Sequence, residues 1–188
     1  MNYFQRGSPG LMRSPARRLV AGYVVASAGV LLAISGGTWD VTNHLLNRPE
    51  TFFSPPHAAL YAGVAIALAG TVIAVTAARA TRIDWTVKLM IGGIALLLSA
   101  GPVDFAWHSS FGLDGLLSPP HAVLISGMVA SAAGAMIGVI TAYQRAENRP
   151  LPMSLLIIGM LPVWVSAAGA LHMFSLPFSE TDFYNFNP

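Results

Sequence analysis

Four stretches of the chain, Leu19 to Trp39, Ala58 to Ala78, Ala122 to Gln144 and Leu151 to Leu171, contain no Asp, Glu, Lys or Arg. A fifth, Trp85 to His108, has an uncharged centre from Leu89 to Val103, with Lys88 near one end and Asp104 near the other. The stem of Lys88 can snorkel to water, so that charge does not disqualify the segment. Each run fits the about 20 apolar residues that a helix rising 1.5 Å per residue needs to cross a hydrocarbon core about 30 Å thick. A spanning segment must satisfy its own backbone, and the roughly ten-residue alternating segments of a membrane barrel are missing, so the pattern predicts helices. The chain reads as one all-α integral membrane domain over 1–188 with five transmembrane helices.

Charge orients these spans. Arg6, Arg13, Arg17 and Arg18 precede the first, Arg79, Arg82 and Lys88 lie between the second and third, and Arg145 and Arg149 lie between the fourth and fifth. The other flanks hold only Arg48. Basic residues stay on the cytoplasmic side, so the expected protein is a multi-pass cell-membrane protein with its N-terminus cytoplasmic. The connections at 45–56 and 109–119 and the tail 173–188 are then external. The first span follows a basic stretch as a secretory signal would, but its apolar core is about twice too long for one, so it reads as a retained anchor.

Composition sharpens the class. Of 188 residues, 54% are hydrophobic and 10% charged, against roughly 25% charged in a soluble domain. With no Cys there is no disulfide, thiolate metal site, iron–sulfur cluster or catalytic thiol, and any metal must use nitrogen and oxygen ligands. A net charge of +2 is too small for a nucleic-acid footprint. No nucleotide-binding loop, Ser-His-Asp arrangement or lipidation motif is present, so neither nucleic acid nor nucleotide is an expected partner.

An offset of 64 residues brings two segments into register. Gly37, Asp40, His44, Ser54, Pro55, Pro56, His57, Ala58, Leu60, Gly63 and Gly70 fall on Gly101, Asp104, His108, Ser118, Pro119, Pro120, His121, Ala122, Leu124, Gly127 and Gly134. The first two spans (about 19–80) and the next two (about 85–144) therefore read as copies of one helical hairpin, both entering the membrane from the same side, with a fifth span at about 151–172 added. Four-residue spacing of Ala130, Gly134 and Gly138, and of Gly63 and Ala67, predicts close helix packing. Pro102 and Pro162 fall inside spans and are expected to kink them.

Each copy carries Asp, three residues, His, twelve residues, His. Asp and His at i and i+4 share a helix face, about 6 Å apart along the axis. The connection returns through Ser-Pro-Pro-His, which reads as an N-cap Ser, Pro at the first helical positions and His in the first turn. Asp40, His44 and His57 can thus converge at one hairpin mouth and Asp104, His108 and His121 at the other. Two imidazoles and a carboxylate suit a divalent transition metal: zinc, copper, or iron with open positions. The other reading is an interfacial cap, in which Asp-x3-His hydrogen-bonds a helix end and Ser-Pro-Pro only starts a helix. Ionisable side chains at membrane depth are costly and mostly functional, which favours metal for a set occurring twice. His172 closes the fifth span at the same external level, so all five histidines lie at one face; its role stays open.

The Asp-x3-His-x12-His pattern across a membrane hairpin resembles the copper site in the C subunit of the particulate methane and ammonia monooxygenases, where a second, similar set follows along the chain. The resemblance covers 37–63 and 101–127. It implies copper, with Asp40, His44 and His57 matching the first ligand set and Asp104, His108 and His121 the second. In that family the second set can begin with Asn, where this chain has Asp104. It also implies work within a complex of other membrane subunits.

The function expected is an integral membrane transition-metal protein, a C-type subunit of a membrane-bound oxidising complex, with catalytic residues unassigned. Two alternatives stand beside it. One is a non-catalytic metal-handling or structural accessory subunit, although the scattered Met residues form no soft-ligand box. The other is a b-type heme electron-transfer subunit with histidine axial ligands, in which the paired Asp has no role. Trp39, Phe52, Phe53, Phe105 and Trp107 flank the ligand sets and read as an interfacial aromatic belt. The tail, with Phe174, Phe178, Phe183, Tyr184 and Phe186, is too aromatic for a free linker and is expected to dock on its bundle or a partner.

Overall fold

The protein is seen as a computed structural model that describes residues 14–46, 48, 51–79, 84–111, 118–144 and 152–175. Of residues 14, 44, 45, 79 and 172–175 only the backbone is described. The side chains of His44 and His172, most of the basic flanks and the aromatic tail therefore lie outside the described residues.

Five helices follow in chain order: α1 Ser14–Leu45, α2 Pro55–Arg79, α3 Trp85–Phe111, α4 Pro119–Gln144 and α5 Met153–Ser175. All five are long and apolar enough to cross a membrane, which makes this a multi-pass membrane protein. At 1.5 Å per residue, α1 is about 48 Å long, more than the about 30 Å of a hydrocarbon core. α3 and α5 continue through Pro102 and Pro162 as single helices.

Small residues set the packing, because lipid tails give apolar helices no reason to associate beyond close contact. In the antiparallel α1–α2 pair, a Cβ added at Gly22 would fall on Ala74 and Gly70, one at Gly29 on Ala67 and Gly63, and one at Gly36 on Leu60 and Pro56. In the α3–α4 pair, a Cβ at Gly93 would fall on Ser131 and Gly127, and one at Gly134 on Thr86 and Met90. Gly29, Gly63 and Ala67 stand 64 residues before Gly93, Gly127 and Ser131, so corresponding positions meet in both pairs. The small-residue stripe of α4 does not serve a single neighbour. Gly134 faces α3, whereas Gly138 receives the ring of Tyr23 from α1.

One core layer joins Val30, Ala33, Leu60, Val64, Ala67, Ile94, Leu97, Met128 and Ala132, with Val163 of α5 against it. A second joins Tyr23, Ala26, Ala74, Ala78, Val87, Met90, Ala135 and Val139, with Leu155 and Leu156. The first layer lies toward the α1–α2 and α3–α4 connections and the second toward the opposite end, so both connections emerge at one end of the bundle. α5 runs toward that end too, and it carries His172 there.

Polar groups within the bundle are mostly satisfied locally. Ser35, Thr38, Thr42 and Thr71 donate to the carbonyls of Leu31, Ile34, Thr38 and Ala67, one turn back. At the other end Asp84 caps α3, accepting from the backbone N–H groups of Thr86 and Val87 at 3.1 and 3.2 Å. The Thr86 hydroxyl donates to the same carboxylate and accepts from the buried Tyr23 hydroxyl at 3.1 Å, tying α1 to the start of α3.

Candidate metal centre

Both ligand sets are built by the same local logic. Ser54 and Ser118 occupy the N-cap positions of α2 and α4: their carbonyls accept the first helical bonds, from Ala58 at 2.9 Å and Ala122 at 3.0 Å. Their hydroxyls do not cap. Both Oγ atoms are buried without a hydrogen bond among the described residues. The second proline of each pair removes the N2 N–H, one of the two that an N-cap side chain can meet. What the prolines secure is the helix start, which holds His57 and His121 in the first turn beside the ends of α1 and α3.

In the second set the three expected residues come together. The Asp104 Oδ1 atom lies 3.5 Å from His108 Nε2 and 3.4 Å from His121 Nε2. One ligand atom from each of the three residues falls within 4.8 Å of the others, and all three side chains are partly buried. The two imidazole rings are tilted by 53° with centroids 5.7 Å apart. Asp104 Oδ1 and His121 Nδ1 are buried without a hydrogen bond among the described residues, and the same holds for Asp40 Oδ1 in the first set. Buried polar atoms are nearly always paired, so unmet ones gathered in one place point to a ligand. Two atoms each about 2.1 Å from a metal at a tetrahedral angle are about 3.4 Å apart, which is the spacing of Asp104 from both imidazoles. The donor set of two nitrogens and one oxygen also fits copper, zinc or iron.

The first set is arranged differently. His57 Nε2 lies 2.8 Å from Asp40 Oδ1, and His57 Nδ1 lies 2.8 Å from the Thr51 carbonyl oxygen. A carbonyl only accepts, so Nδ1 is the donor to Thr51. A backbone bond to Nδ1 is also what orients a metal-ligating histidine with Nε2 forward. His44 belongs to α1 one turn beyond Asp40, with its side chain outside the described residues.

Aromatic rings connect the two sets. Phe52 packs on Phe105, the neighbour of Asp104, with centroids 5.3 Å apart, and on Tyr61 at 5.1 Å. Tyr61 in turn stacks on His57 with ring centroids 6.0 Å apart. Sequence reading missed Tyr61 and Thr51. Tyr61 could have been found, because it stands four residues after His57 on the same helix face. Thr51 could not, since it acts through a backbone carbonyl that carries no side-chain signature.

No protein family, characterised protein or solved structure matches the chain.

Proposed function

We propose that this membrane protein binds a divalent transition metal, with copper the preferred ion, at the ends of its helical hairpins. The observation that carries the reading is the Asp104, His108 and His121 group, in which Asp104 Oδ1 stands 3.5 and 3.4 Å from the two imidazole Nε2 atoms and has no hydrogen bond among the described residues. The 64-residue recurrence supports a duplicated hairpin in which Asp40, His44 and His57 form the related set. The arginine distribution supports a cytoplasmic N-terminus, and with it metal sets and a C-terminus on the external face.

The role proposed is a C-type subunit of a membrane-bound oxidising complex, by resemblance to the copper membrane monooxygenases. A bound copper would supply redox chemistry in an open coordination position. The chain's own residues hold the ion: His108 and His121 donate nitrogen, and Asp104 offsets its charge. A heme between His108 and His121 is disfavoured, because the Asp104 carboxylate stands beside both Nε2 atoms where the porphyrin would pass.

The test is elemental analysis with an absorption spectrum on protein purified from membranes, wild type beside Asp104→Ala. Copper, zinc or iron at about one to two per chain without a Soret band, lost in the variant, supports the proposal. Metal-free wild type, or a variant with unchanged metal content, overturns it.

A further inference from the structure

We infer that the cleft between α2 and α3 seats α3 of a second copy of this chain, in a dimer about a two-fold axis along the membrane normal. No metal ligand takes part, so this surface stands apart from the metal-binding reading. The cleft holds about 250 Å³, and its walls include Leu68, Thr71, Val72 and Val75 of α2 with Ile91 and Ile94 of α3. The positions 64 residues away are Ala132, Ala135, Met136 and Val139 of α4 with Ser27 and Val30 of α1. That related groove is filled within the chain, because α5 packs on both α4 and α1. A Cβ at Gly159 would stand 3.4 Å from Val139, and Val163 packs on the layer that holds Val30 and Ala132. The cover shows in the exposure. Val139 and Ser27 are fully buried, whereas Val75 is half-buried and Ile91 is 42% exposed.

What fills the α1–α4 groove also says what fits the α2–α3 cleft. α5 turns a stripe of compact residues inward, burying Gly159, Pro162 and Ser166. α3 carries Gly92, Ala95 and Ser99 at the same spacing and leaves all three exposed, with nothing within 4 Å of a Cβ at Gly92. Compact side chains let helices approach closely, which is what holds apolar helices together in lipid. The directions agree as well. α5 runs parallel to α1 and antiparallel to α4, and a two-fold along the membrane normal sets the second copy's α3 parallel to α3 and antiparallel to α2. With about 100° between successive residues, Ile91 and Leu98 lie between Ile94 on the cleft wall and the exposed stripe. The two copies of Ile91 and Leu98 then meet near the axis, while each stripe lies on the other copy's α2. The contact is self-complementary and closed, as in the commonest class of oligomer.

Sedimentation equilibrium of the full chain, metal chelated, in a density-matched detergent should give the mass of two chains. Ala95→Leu and Ser99→Leu should each weaken the dimer at least about tenfold, by holding the helices apart. Gly169→Leu, an enlargement where α5 meets nothing within 4 Å, should leave it unchanged. Circular dichroism checks that all three keep their helices. The chain has no cysteine, so single thiols report the contact independently in membrane vesicles with iodine as oxidant. Ile91→Cys should give a disulfide-linked dimer and Trp164→Cys, on the outer face of α5, none. A chain that stays monomeric at every concentration, with lipid in the cleft, overturns the assignment. So does a dimer that folded Ala95→Leu and Ser99→Leu leave intact, one that links through Trp164→Cys and not Ile91→Cys, or a different polypeptide linked to Ile91→Cys in place of the second copy.

Discussion

His57 reaches across the α1–α2 hairpin to Asp40, with Nε2 2.8 Å from Oδ1, while its other nitrogen holds the Thr51 carbonyl. One side chain thus fastens the end of α1, the connection and the start of α2. Asp40→Asn should lower unfolding free energy by about 1–3 kcal/mol, because a neutral amide replaces the carboxylate in close contact with His57. Metal-free Asp104→Asn should stay within about 0.5 kcal/mol of wild type, because its imidazole neighbours stand farther off, at 3.4 and 3.5 Å. Denaturant unfolding in one detergent, with metal chelated, checks both values.

The glycines divide into two groups by what surrounds them. A Cβ at Gly29 or Gly93 would fall on the backbone of the facing helix, whereas one at Gly92 or Gly169 meets nothing within 4 Å. Gly29→Val and Gly93→Val should therefore cost at least about 1–3 kcal/mol each through forced separation of the helices. Gly92→Ala and Gly169→Ala should be neutral or stabilising by up to about 1 kcal/mol, from helix propensity. Thermal unfolding of the four variants is the measurement.

At the opposite end, Tyr23, Thr86 and Asp84 form a chain of hydrogen bonds that starts α3 and joins it to α1. Asp84→Ala removes the cap and should cost about 0.5–2 kcal/mol. Tyr23→Phe removes one buried hydrogen bond and should cost about 0.5–1.5 kcal/mol, leaving the ring in place against Gly138. Because both act through Thr86, the double variant should cost less than the sum, a coupling that a double-mutant cycle reads.

Metal retention should fall as pH falls. An imidazole binds a metal only in its neutral form, so protons compete for His108 and His121 and affinity rises with pH. Dialysis against acidic buffer should strip metal that is retained in neutral buffer. Equal retention in both buffers would point to ligands other than these imidazoles.

The chain has no cysteine, so any single one introduced is the only labelling site. With Ser110→Cys at the end of α3 and Ser14→Cys at the start of α1, an impermeant maleimide applied to intact cells should label the first alone. Labelling of Ser14→Cys alone would reverse the orientation drawn from the arginines.

The five spans were legible because hydrophobic run length answers directly to bilayer thickness, and the structure gives five helices over those runs. The meeting of Asp104, His108 and His121 was legible too, since i, i+4 spacing and a short Ser-Pro-Pro connection leave the backbone little choice. The sequence by itself determined where the ligand-bearing positions stand. Only the packing of the helices fixes the carboxylate–imidazole spacing within each set, 3.4–3.5 Å in the second and 2.8 Å in the first. The physical reason is scale. Helix periodicity sets backbone position, but side-chain spacings that differ by less than an ångström depend on neighbours such as the Thr51 carbonyl and the Tyr61 ring, which no spacing rule encodes.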